Sequence, residues 1–215
     1  MSKEVVKKEK QEVAVANDTR AVVAKIAASQ DEYREANKNF GLDYVYTGSW
    51  MVINSKGQFS EKDTDKVFSD ELDCVMLSGE ERFVLWGERG TSSEGKVLVS
   101  EHTMDAAMDK YEELPEIVKE EHSSSKIQSR YLTTVIPTEC LKEDVPSMYL
   151  LSFSKTAKIS FGKWSHALYM GRYADIGCPA KTKVNEVIVR MRTVEKKGDG
   201  FKYTTIEFDT VGPLT

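Results

Sequence analysis

Two alternating segments near the carboxyl end of the chain restrict its fold more than any other feature. In residues 184–194 and again in residues 201–208, apolar and polar side chains alternate, which is the period of a β-strand with one buried face. The residues between them, Glu-Lys-Lys-Gly-Asp-Gly, are polar and contain turn-forming glycines. The pattern predicts a β-hairpin, and with it a sheet in which antiparallel pairing dominates.

Shorter strand patterns precede this hairpin. The segments 74–77 and 82–86 flank the sequence Ser-Gly-Glu-Glu, which predicts a second β-hairpin with its turn at residues 78–81. A glycine-rich loop then leads to the next strand. Alternation or short apolar runs predict the remaining strands at residues 44–53, 97–99, 131–136 and 148–153.

Three segments have apolar residues at helical spacing. The first covers residues 18–39, with Asn17 and Asp18 as N-caps, and the second covers residues 104–114. Pro115 ends the second helix, and the polar residues that follow it, up to 125, are expected to form a loop. The third helix begins after Ser154, which is able to cap it.

The order of these elements predicts an α+β fold that is mainly antiparallel β. An oligonucleotide-binding (OB)-like curved sheet or barrel with peripheral helices fits it best. The chain has 215 residues, of which 40% are hydrophobic, and this suits a single domain over residues 18–215. Residues 1–17 are rich in Lys and Glu without periodic apolar positions, so we expect a mobile tail there.

Composition also limits where the protein works. No apolar run is long enough to cross a bilayer or to form a signal peptide. The three cysteines, Cys74, Cys140 and Cys178, are widely spaced and form no CxxC pair. We therefore expect a cytoplasmic protein with buried structural thiols and no membrane partner.

The sequence contains no convincing catalytic or cofactor motif. The three histidines are far apart, and there is no GxxxxGK[ST] loop, no GxGxxG opening a helix and no GxSxG elbow. An acidic segment is able to hold Mg²⁺, although a solvated loop is the favoured interpretation; its aspartates are Asp63, Asp65, Asp70 and Asp73. We therefore predict no metal, no cofactor and no enzyme activity.

Charge is distributed unevenly along the chain. The net charge is −5, yet residues 148–215 carry eleven Lys and Arg against six Asp and Glu. In the final hairpin, Val187, Val189 and Met191 share one face, which leaves Arg190 and Arg192 on the other. A groove of positive charge is one requirement for binding single-stranded nucleic acid. Considered alone, the arginines are explained slightly better by an ordinary solvated strand face.

Aromatic side chains supply the second requirement, flat surfaces on which bases stack. Most strand aromatics should be buried, but Tyr46 and Trp50 are expected to be accessible because alternate residues of their strand already provide an inward face. Arg82 should share a face with Trp86, whereas Trp164 falls within the apolar stripe of the third helix and should be core. The candidate nucleic-acid-binding residues are Tyr46, Trp50, Arg82, Trp86, Lys155, Lys158, Lys163, Arg190, Arg192 and Lys202.

Three stretches give the chain a resemblance to phage-encoded single-stranded-DNA-binding proteins. They are residues 43–57 with WMVINSKG at their end, residues 82–87 with RFVLWG, and residues 148–164 with MYLLSFSKTAKISFGKW. The resemblance implies an OB-like core and sequence-tolerant binding of single-stranded DNA in phage replication or recombination, within the host cytoplasm. It also implies contacts with replication or recombination proteins. The acidic carboxyl-terminal tail of many such proteins has no counterpart in the final residues here.

Two other classes of function remain open. In the first, the acidic front half and the N-terminal helix dock onto another protein, as in an interaction or virion-associated component that does not bind nucleic acid. In the second, which is the weakest, the aspartates of residues 63–73 and Mg²⁺ serve a nucleic-acid enzyme. Self-association is compatible with the sequence, which does not fix the oligomeric state.

Overall fold

The computed structural model of the protein describes residues 19–29, 31–33, 35–36, 48–198, 200 and 202–214. Within them, eight strands form one sheet. The strands are β1 (Ser49–Ile53), β2 (Phe59–Glu61), β3 (Glu71–Trp86), β4 (Val97–Glu101), β5 (Gln128–Pro137), β6 (Tyr149–Phe153), β7 (Val187–Lys197) and β8 (Lys202–Pro213).

The helices are α1, seen at residues 19–29, 31–33 and 35–36, then α2 (Met104–Glu112), α3 (Glu116–Glu121) and α4 (Lys155–Tyr169). Thr103 caps α2, and Ser154 caps α4 as predicted, because its hydroxyl accepts a hydrogen bond from the Ala157 amide at 3.3 Å. The predicted tail at residues 1–17 and the first half of the strand predicted from residue 44 lie outside the described residues.

The strands follow the order β2-β1-β6-β5-β3-β7-β8, and β4 also pairs with β3. Every pairing is antiparallel except that of β1 with β6. The amino half of β3 pairs with β7 and its carboxyl half with β4, while β5 pairs with β3 over most of its length. The sheet curls strongly into a half-barrel. The predicted α+β class with mainly antiparallel strands is confirmed.

The hairpin predicted around residues 78–81 is wrong, because these residues continue a single strand. Across β3, Ser78 pairs with Thr134 and Arg82 pairs with Arg130, and a bulge after Met76 bends the strand. Gly79 is needed for close packing, because a Cβ at this position would collide with the phenol ring of Tyr131. A turn would have removed these residues from the ladder that they form with β5.

The loop predicted at residues 116–125 is also wrong in its first half. Pro115 ends α2 as expected, but it stands at the N-cap of α3. A proline at the start of a helix costs no backbone hydrogen bond, because the first amides of a helix have no partner within it. The same residue therefore separates two helices.

Aromatic side chains fill the space between α4 and the sheet. Phe161 on α4 lies 5.0 Å from Tyr131 and 5.4 Å from Phe153, measured between ring centroids. Trp164 is buried, as predicted, and its indole Nε1 donates a hydrogen bond to Thr210 Oγ1 on β8 at 3.1 Å. A smaller cluster, which includes Leu85 and Tyr111, packs α2 against β3 and β4. Both helices thus cover the same face of the sheet.

The three cysteines are free and buried, as the sequence predicts. Burial raises the pKa of the Cys74 thiol and, with Glu143 nearby, raises that of Cys140 to about 11. At neutral pH both are therefore protonated, poorly nucleophilic thiols.

Removing the phenyl ring at the centre of the aromatic cluster should destabilise the whole domain. Phe153 is fully buried, so Phe153→Ala is expected to lower the free energy of unfolding by about 3–5 kcal/mol. Ile159, 52% exposed on α4, provides a matched control, and Ile159→Ala should change stability by less than about 1 kcal/mol. Urea denaturation of the two variants and the native chain measures both effects; equal losses would contradict the packing described.

Candidate nucleic-acid interface

The face of the sheet opposite α2 and α4 carries the predicted tryptophans. Side chains alternate along a strand, so Tyr131 and Phe153 point to the helices, whereas Arg130 and Ser152 point to the other side. Trp50, Arg82 and Trp86 lie on this second side, which we call the tryptophan face.

Trp50 on β1 and Trp86 at the end of β3 meet across the tryptophan face. Their ring centroids are 5.3 Å apart, with an interplanar angle of 75°. In a flat sheet these strands would be about 14 Å apart, because β6 and β5 lie between them. The contact forms because the sheet curls towards this side. Both indoles are half-buried.

The tryptophan pair separates two hollows. The larger hollow, of about 520 Å³, is lined by both indoles together with Arg82, Val84, Leu132 and the rim residues His102 and Lys110. The smaller hollow, of about 330 Å³, is lined by the same indoles together with Lys62, Arg130 and Ser152. The predicted common face of Arg82 and Trp86 is confirmed.

Arg82 forms the polar part of the larger hollow. Its side chain is only 4% exposed, and its Nε donates a hydrogen bond to Glu80 Oε1 at 3.1 Å. Its Nη1 atom also donates to the Ser100 carbonyl at 3.5 Å. The guanidinium is therefore held in place, with a carboxylate that compensates its charge.

Arg130 lies directly opposite Arg82 in the β3–β5 ladder. Its Nη2 atom donates a hydrogen bond to Gln128 Oε1 at 3.1 Å. Within the described part of the chain it has no carboxylate partner, and neither its Nε nor Ser152 Oγ has a hydrogen-bond partner. Burial lowers the pKa of the guanidinium. The smaller hollow thus contains an arginine whose charge is compensated by no carboxylate of the described residues.

The arginines of β7 share the tryptophan face but are paired with acidic side chains. Val187, Val189 and Met191 are fully buried, as predicted, so Arg190 and Arg192 point away from the core. Acidic side chains on β3 and β8 are their cross-strand neighbours.

Two hydrogen bonds, of 2.7 and 2.9 Å, join Arg190 to Asp73, and this contact raises the arginine pKa. Arg192 binds Glu71 in the same way through its Nε, at 2.8 Å. Asp209 and Glu207 lie opposite these arginines on β8. The four carboxylates outnumber the two guanidinium groups, so this part of the face forms a ladder of ion pairs without excess positive charge.

The remaining predicted cations lie elsewhere. Lys155, Lys158 and Lys163 are on α4, which covers the opposite face, and Lys158 is paired with Glu81. Lys202 is paired with Glu195 near the hairpin turn, at 2.6 Å. The structure therefore brings Trp50, Arg82 and Trp86 together but does not gather the lysines with them. Tyr46 lies outside the described residues.

Sequence patterns missed Arg130, Ser152 and Lys62. Arg130 precedes the apolar run at which the strand was predicted to begin, and an isolated strand arginine is usually a solvated surface residue. Only the pairing of β3 with β5 shows that it stands beside a second arginine.

Two serines lie near side chains that act as bases in some enzymes. Ser93 Oγ is 3.0 Å from His122 Nε2, but Ser93 is only 6% exposed and His122 is fully buried. Ser129 Oγ is 3.0 Å from Lys158 Nζ, which is already engaged in an ion pair with Glu81. Neither arrangement presents a free base beside an accessible hydroxyl.

The aspartates considered for Mg²⁺ do not converge. Asp63, Asp65 and Asp70 are exposed, and Asp73 is engaged with Arg190. Among the described residues, no three His, Cys, Asp or Glu side chains are placed to share a metal ion.

Comparison with known proteins identifies no relative. No protein-family model, no curated protein and no solved structure matches the chain. Within the described residues, none of the helices combines the length and the hydropathy needed to cross a lipid bilayer.

Burial separates the three tryptophans into two classes that fluorescence can distinguish. In the double variant Trp50→Phe/Trp86→Phe, only Trp164 remains, and it is 4% exposed. We expect its emission to lie at shorter wavelength than that of the native chain, and acrylamide to quench it less efficiently, because an indole packed in the core is shielded from water. Equal quenching of the double variant and the native chain would show that Trp50 and Trp86 are inaccessible.

Proposed function

We propose that the chain binds single-stranded DNA with little sequence preference, in phage replication or recombination, on the tryptophan face of an OB-like half-barrel. The curled, mainly antiparallel sheet is compatible with an OB-like fold, and OB domains bind oligonucleotides on such a sheet. The resemblance of the three sequence stretches to phage single-strand binders also supports the proposal.

The observation that carries the proposal is the half-buried pair of indoles beside two hollows on one face of the sheet. Trp50 and Trp86 contact each other edge to face, and each also lines both hollows. Large aromatic side chains are normally buried in the core, as Trp164 is. Stacking of a base on an indole contributes about 1–3 kcal/mol and tolerates any base, since every base has a π-face.

The phosphate contacts are assigned to cations beside the tryptophans. Lys62 and Arg130 line the smaller hollow, whereas Arg82 and Lys110 line the larger one and are paired with Glu80 and Glu113. Arg190 and Arg192, which were candidates from the sequence, are engaged with Asp73 and Glu71, so a phosphate there would compete with carboxylates already in place. Binding should therefore depend more on the hollows than on the carboxyl-terminal hairpin.

Titration of the protein with oligo-dT tests the proposal. Replacing Trp50 or Trp86 with Leu removes a stacking surface but keeps an apolar side chain. We therefore expect the affinity of each variant for oligo-dT to be lower by a factor of about ten or more. Fluorescence anisotropy of a labelled oligo-dT measures the affinity, and thermal denaturation establishes that each variant is folded.

The matched control changes charge on the opposite face. Lys155 and Lys163 are exposed on α4, and replacing both with Gln should leave the affinity within about twofold if binding is confined to the tryptophan face. For the native chain, affinity should fall as salt rises, because phosphate contacts release counterions. Binding that is absent at micromolar oligo-dT would overturn the proposal and leave the protein-interaction function as the remaining hypothesis.

A further inference from the structure

We infer that Arg130 and Ser152 form a subsite for one phosphate of the bound strand, beneath the tryptophan pair in the smaller hollow. The inference rests on the proposed function, since the phosphate belongs to a strand whose bases stack at Trp50 and Trp86. It adds a specific position and a specific charge to that function.

Electrostatics supply the first argument. Arg82 and Arg130 are directly opposite in an antiparallel ladder, where Cβ atoms are about 4.5–5.5 Å apart and like charges destabilise the pairing. Glu80 compensates Arg82, but Arg130 is without a carboxylate among the described residues. A guanidinium that is partly removed from water without a counter-charge is costly. A bound anion would remove this cost.

Hydrogen bonding supplies the second argument. The Arg130 Nε–H group and the Ser152 hydroxyl are both buried, and neither has a partner within the described residues. Both are able to donate and both residues line the same hollow, and phosphate oxygens have the lone pairs and charge that suit such donors. Lys62 lines the same hollow and adds a further positive group.

Position supplies the third argument. Both indoles line the smaller hollow as well as the larger one, so a phosphate in the smaller hollow would lie beside the stacking surfaces. A phosphodiester between two stacked nucleotides fits this arrangement. Inorganic phosphate and a mononucleotide also present phosphate oxygens to the two donors. Inorganic phosphate has no base to stack, however, and a mononucleotide has only one.

The salt dependence of binding isolates this phosphate contact. For single strands, the slope of log affinity against log salt changes by about 0.7 for each phosphate contact. Arg130→Gln should make the slope for oligo-dT less negative by about this amount and weaken binding about tenfold at low salt. Arg130→Lys should restore most of the slope, because it restores the charge.

Two further variants separate a direct contact from a general effect. Ser152→Ala, which removes only a hydroxyl, should weaken binding about threefold or more without changing the slope. Arg192→Gln removes a charge from the same face outside the hollows and should leave both slope and affinity nearly unchanged.

The source of the phosphate is tested by competition. The dinucleotide dTpT should displace labelled oligo-dT from the native chain more effectively than dTMP, and dTMP more effectively than inorganic phosphate. If dTpT competes no better than inorganic phosphate, the site binds a free anion and the assignment to an internucleotide phosphate is wrong.

The outcomes for the inference and for the proposed function are distinct. The subsite is rejected if the native chain binds oligo-dT but the folded Arg130→Gln variant keeps both the native salt slope and the native affinity. In that case water molecules satisfy Arg130 and Ser152, and the proposed function stands. If the native chain does not bind oligo-dT, both are rejected.

Discussion

Strand β3 holds the sheet together, because both of its edges form backbone hydrogen bonds with other strands. One edge pairs with β5, and the other is shared between β7 and β4. The bulge after Met76 bends the strand between these partners, and bulges also increase local twist. The amino half therefore joins the core beneath α4, while the carboxyl half carries Arg82 and Trp86 to the tryptophan face.

Local patterns in the sequence predicted the elements that depend on local interactions. The final hairpin and the helix capped by Ser154 were readable because alternation, turn residues and capping lie within a few positions of one another. The false hairpin at residues 78–81 shows the limit of this reasoning. Gly79 was interpreted as a turn residue, but a glycine is needed there because the Tyr131 ring packs against it. A contact between strands that are distant in sequence cannot be predicted from the local pattern of one segment.

The candidate site shows the same division. Alternation correctly placed Arg82 with Trp86 and turned Arg190 away from the core, since a period of two fixes the face of each residue. It did not predict which residues stand opposite one another. The carboxylates beside Arg190, the arginine beside Arg82 and the lysines of α4 on the other face all follow from strand order and helix docking, which are properties of the whole fold.

The two arginine groups on the tryptophan face differ in a way that ordinary surface chemistry does not explain. Arg190 and Arg192 have carboxylates as cross-strand neighbours, which is the arrangement that stabilises a sheet. The cross-strand neighbour of Arg82 is another arginine, Arg130, and the two like charges repel each other. A glutamate at position 130 would instead form an ion pair with Arg82. Departures from the pairing rules of a sheet occur most often at functional sites, and this one lies at the two hollows. The nearby indoles, and the two donors that have no partner among the described residues, suit a ligand that is both aromatic and anionic.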